Sequence, residues 1–167
     1  MLSTLFHAAH VFAVVLWIGG VGYSLMVLLP SLSTVSLRDR ARFVPKVLKR
    51  FLTIVWLSIA VVSLSGLYRM VAVMNITALP QLSSSHYGQL LSVKLVFVIF
   101  LLAVALSVTL RVYPKVTNHV RQHLDESPDV YRCPVCREIS GLMRVHLMAG
   151  LSMAAAIILL AAFLRGA

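Results

Sequence analysis

Apolar and polar positions divide the chain coarsely: four long apolar runs, at residues 2–29, 51–74, 89–112 and 139–164, are separated by three polar stretches. Each run exceeds the roughly 20 residues that an α-helix needs to cross a bilayer. With no closed barrel to join, a backbone in lipid satisfies its hydrogen bonds as a helix. The pattern predicts an all-α integral membrane protein, a four-helix bundle forming a single transmembrane domain over residues 1–167. The first run has no basic leader and no small-residue cleavage site before a polar mature chain, so it is expected as the first spanning helix and not as a signal peptide.

Composition agrees with this. The chain is 60% hydrophobic and 12% charged, with a mean hydropathy of +0.94, where a water-soluble domain carries about 25% charged residues. The placement of charge adds an orientation. Arg38, Arg40, Arg42, Lys46, Lys49 and Arg50 lie between the first two runs, and Arg111, Lys115, Arg121, Arg132, Arg137 and Arg144 around the third polar stretch; residues 75–87 carry no formal charge. Short basic loops stay in the cytoplasm, so both termini are expected outside, in the plasma (inner) membrane of a prokaryote. The net charge of +10 is then a topology signal beside anionic headgroups. Without an interleaved aromatic stripe it does not point to nucleic acid. The expected partners are the bilayer and either further membrane subunits or a second copy.

Apart from those at the basic ends, two cations fall inside the runs. Arg69 and Lys94 lie within two turns of the same expected outer surface, while all five acids (Asp39, Asp125, Glu126, Asp129 and Glu138) belong to the cytoplasmic loops. One reading is snorkelling, in which a long side chain lifts its charge to the headgroups. The other is a site, the default for an intramembrane cation. Helix one favours the site: in "HAAHVFAVVLWIGG", His7 and His10 are one turn apart and Trp17 is seven beyond His10, on one expected face. Imidazole can ligate a metal or haem iron, haem propionates or a lipid phosphate would supply the negative charge that Arg69 and Lys94 lack, and Trp17 would wall the cofactor in. Copper could use the same end, since Met70 and Met74 stand four apart and His86 begins helix three. Thioether suits Cu(I), and imidazole either copper state. Taken alone, each of these residues also fits ordinary packing.

The stretches "HAAHVFAVVLWIGG" and "YGQLLSVKL", with Pro30 ending helix one and Gly66 in "LSGLYRM", resemble the CopD type of membrane copper-resistance domain over residues 5–112. The spacing of Tyr87, Gly88, Leu91 and Lys94 is the most specific part. A helix-one histidine with a helix-three lysine is also similar to HemJ-type protoporphyrinogen oxidase, a four-helix haem b protein. CopD proteins commonly have eight spans against the four here, and the Asn-Glu-x-Pro segment associated with HemJ is absent. The resemblance therefore implies a role for His10 and Lys94 and leaves copper and haem b both open.

The third polar stretch, residues 113–138, holds a second constellation. His119 and His123 are four apart, and Cys133 and Cys136 form a Cys-Pro-Val-Cys knuckle ten residues on. Two imidazoles and two thiolates make a tetrahedral Zn(II) set. The alternative is a pair of unliganded cysteines. A c-type haem would need His immediately after the second cysteine, where Arg137 stands. His146, near the start of helix four, is expected at the opposite leaflet from His10 as a hydrogen-bonded interfacial residue.

No Ser-His-Asp set, paired carboxylates or phosphate-binding glycine loop is present, so hydrolytic chemistry lacks its parts. Three functions follow as expectations. The first is binding of copper or haem b at an outer-leaflet His/Lys site, for metal handling or membrane electron transfer. The second is an accessory structural subunit of a larger respiratory-type complex, its cytoplasmic loop clipped by zinc. The third is a HemJ-like oxidase.

Overall fold

The computed structural model describes residues 2–35, 37–73, 86–123 and 134–166. All regular structure among them is helical. We label the helices α1 (Leu2–Tyr23), α2 (Leu37–Tyr68), α3 (His86–Ser107), α4 (Tyr113–His123) and α5 (Pro134–Gly166). Four continuous helical stretches are long and apolar enough to cross a membrane: Leu2–Ser31, Arg42–Ala72, Gly88–His119 and Glu138–Ala162. Exposed Phe12, Met26, Leu57, Leu64, Ile99 and Leu159 on all four give the bundle an apolar exterior, which suits a solvent of acyl chains.

The helices reach further than the apolar runs alone predict, at the end carrying the basic residues. α2 begins at Leu37, well before residue 51. Val44, Val47, Leu48 and Phe51 recur at helical spacing among the basic residues, so this stretch is an amphipathic helix. The third span runs past Pro114 into α4. The two extensions bury one another: Leu48 and Leu52 of α2 pack with Val112 and Val116, and Phe51, Ile139 and Met143 close the cluster.

Two prolines leave a mark on the helices. Wide i→i+5 turns occur at Ser24–Leu28 and Val108–Val112, each two residues before Pro30 or Pro114. A proline ring clashes with the carbonyl four residues earlier and cannot donate a hydrogen bond, and a locally widened turn relieves both problems. A third wide turn, Arg69–Val73, has no proline among its described neighbours; it contains the cation expected in a site.

Register follows from a few side-chain pairs. Phe6 stacks on Tyr68 with ring centroids 4.4 Å apart and planes 18° apart, and Gly20 faces the Phe51 ring. These contacts run α1 antiparallel to α2. Ser107 meets His146 at 3.0 Å and Lys115 meets Glu138 at 3.1 Å, which runs the third span antiparallel to α5. The Trp56 indole N–H donates to the Thr109 hydroxyl at 3.1 Å and joins α2 to the third span near the basic end.

Candidate metal or cofactor site

The α1–α2 pairing carries the site. Toward the end where α1 begins, His7 comes opposite Arg69 and His10 opposite Ser65. Arg69 Nη1–H donates to His7 Nδ1 at 2.6 Å. A guanidinium has only donors, so the Nδ1 lone pair of His7 is taken and its ring proton lies on Nε2.

His10 has the opposite arrangement. Its Nδ1 is 2.8 Å from Ser65 Oγ. The single hydroxyl proton of Ser65 is directed at backbone carbonyls, Val61 O at 2.6 Å and Val62 O at 3.1 Å. Carbonyls only accept, so Ser65 Oγ is left as the acceptor and His10 Nδ1–H donates to it. Nε2 of His10 therefore carries the lone pair, and no described residue donates to it. Orientation of a ligating imidazole by a hydrogen bond to its other nitrogen is the usual device of metal sites. Ser65 itself is buried.

Both cations bear electrostatically on this ring. Lys94 and Arg69 act electrostatically on His10, as does His7, and Arg69 acts on Lys94. Lys94 is half-buried and makes no ion pair among the described residues. The described acids, Asp39 and Glu138, belong to the basic end. Two positive charges thus share one region with an imidazole lone pair. That set favours an anion, or a metal that brings anionic groups with it.

The other expected residues are placed as follows. Met70 is half-buried in the wide turn beside Arg69. Trp17 lies about 10 Å further along the α1 axis than His10 and lines a separate cavity with His146. His119 is half-buried in α4. Met74 and Cys133, and the side chains of His86, His123 and Cys136, lie outside the described residues, so neither the zinc set nor the full copper set is described. Among the described residues no three of His, Cys, Asp or Glu gather where a metal ion could be held. Gly66 lies against the His10 ring, where an alanine methyl would meet Cε1 at 3.9 Å, an ordinary contact.

Ser65 was missed as a site residue. Its signal was present: it stands one turn before Arg69 on the same face of an apolar helix.

The family model for CopD, copper resistance protein D, matches residues 45–164. The chain belongs to the CopD family. The matched stretch takes in most of α2, the third span and most of α5, including Ser65, Arg69 and Lys94 of the site. The CopD match leaves His7 and His10 outside it, so these two histidines rest on the geometry. No curated protein and no solved structure matches the chain.

Ser65→Ala tests the orienting contact in this CopD chain. The change leaves no cavity and removes the acceptor of His10 Nδ1–H. Metal or cofactor affinity is expected to fall about 10–100-fold, the usual cost of deleting such a partner, with the helical content unchanged by circular dichroism. Unaltered affinity would remove Ser65 from the site.

Proposed function

We propose that this multi-pass CopD protein handles copper as cargo at the cluster of His10, Lys94, Arg69 and His7. His10 Nε2 would be the imidazole ligand, with Met70 as a soft donor from the adjoining turn. Lys94 would hold an anionic co-ligand that accompanies the metal, because a bare copper cation is repelled by uncompensated positive charge, while Arg69 is engaged with His7. The single observation that carries the reading is the His10–Ser65 hydrogen bond of 2.8 Å, which fixes the ring with its Nε2 lone pair unused. The cluster belongs to the end away from the basic loops, so we place it on the outer face of a prokaryotic inner membrane.

A second reading has one observation in its favour. Two cations without a carboxylate suit the propionates of a haem b, and His10 Nε2 suits its iron. When bound, such a group would supply one-electron redox chemistry; the chain's part is to ligate and to neutralise.

A metal inventory with an absorbance spectrum on protein purified in detergent tests both. Copper retained without a Soret band is the expected result, and a Soret band replaces copper with haem. Protein that takes up neither, after incubation with each, overturns the proposal and favours a structural subunit.

A further inference from the structure

A second region of the bundle, toward the basic end, is built to hold a molecule. All four spans enclose a partly open cavity of about 80 Å³, walled by Trp17, Phe51, Leu101, Val104, Leu147 and others. On the same measure one water needs only about 10–15 Å³. Interiors are otherwise close-packed, so a space of this size between four helices needs a filling.

Water is a poor occupant. A buried water requires two to four polar partners, and of the three polar side chains in the walls, Trp17, Ser24 and His146, two spend their protons within the protein. The Ser24 hydroxyl donates to Gly20 O at 2.8 Å. His146 Nδ1 is 2.7 Å from Leu142 O; the carbonyl only accepts, so Nδ1 carries the proton. Nε2 is then an acceptor, and Ser107 Oγ–H donates to it at 3.0 Å. The cavity therefore presents a predominantly apolar wall, the aromatic side chains of Trp17, Phe43 and Phe51, and His146, whose Nε2 is satisfied by the exchangeable Ser107 hydroxyl.

We propose that this cavity binds a membrane-dissolved aromatic alcohol, of the phenol or hydroquinone class. The ring would lie among Trp17 and Phe51, and the hydroxyl would donate to His146 Nε2 in place of Ser107. Aromatic rings packed face or edge gain beyond their buried area, and a pocket with few polar groups reads its ligand through them. The site uses none of the groups assigned to copper and stands or falls separately from that reading.

The test uses Trp17 fluorescence in the full chain in lipid nanodiscs, with Trp56→Phe leaving Trp17 as the sole indole. The probes are 4-propylphenol and 4-propylanisole at equal mole fraction in the lipid; the ether has the same body and no donor. The phenol is expected to bind a few-fold tighter, less than the roughly tenfold worth of a whole hydrogen bond because it displaces that of Ser107. His146→Phe should abolish that preference and keep the anisole response, which shows that the cavity survives the change. Ser107→Ala should tighten phenol binding a few-fold, since the ligand no longer competes with a serine for one lone pair. Leu147→Phe should weaken both probes by filling the space. Equal binding of the two probes to the Trp56→Phe protein, or no gain in Ser107→Ala, overturns the proposal, and the latter holds even if His146→Phe fails to fold.

Discussion

Replacing His10 with alanine should strip the metal from the purified protein, with an affinity loss of more than about 100-fold, because deletion of an orienting partner alone costs 10–100-fold. Two histidines three residues apart place their ring protons differently. His7 spends its Nδ1 lone pair on Arg69, while His10 donates from Nδ1 to Ser65 and keeps Nε2 unused. On the proposed function, one imidazole of the pair is the ligand and the other a brace for a cation. His7→Ala should cost far less than His10→Ala. Metal content by mass spectrometry, measured on both variants beside the parent, decides it; equal losses from the two changes would mean that the tautomers read from these contacts do not govern binding.

Arg69→Met should move copper and haem in opposite directions. Loss of the guanidinium removes one positive charge beside His10 and returns the His7 Nδ1 lone pair, so a cationic metal gains a donor and loses a repulsion. Copper affinity is expected to rise at least about tenfold, a change of about 1.4 kcal/mol. A haem loses a partner for its carboxylate at the same position and should bind about tenfold more weakly, since a charge-assisted hydrogen bond contributes about 1.5–3 kcal/mol. Competition titration with a chromogenic Cu(I) chelator and Soret titration give the two signs directly. If neither affinity changes, Arg69 merely snorkels.

Much of this architecture could be read from the chain because bilayer thickness imposes its own length on an apolar run. The four spans fell where hydropathy placed them. The helical extensions were hidden, because the Leu37–Arg50 region reads as a basic loop until its apolar positions are counted at a spacing of three and four. At the candidate site, the co-location of His7, His10, Arg69 and Lys94 was legible from depth alone, since antiparallel helices of known length bring the ends of α1, α2 and α3 together. The choice between the histidines was not. It depends on which nitrogen meets Ser65 and which meets Arg69, a matter of helix rotation that no one-dimensional spacing encodes. Trp17 shows the same limit: equal phase on a helical wheel put it on the His10 face, while the rise of α1 carries it into the cavity beside His146.

The unbroken course of α2 makes it a ruler. Arg50 and Arg69 are both on its continuous helical stretch, and the rise between them is about 28 Å, close to the roughly 30 Å of a bilayer's hydrocarbon core. When the basic collar that includes Arg50 rests at one headgroup boundary, Arg69 is delivered to the opposite one. Copper arriving from that side would reach His10 at the threshold of the membrane, still within reach of water, with no passage through acyl chains required.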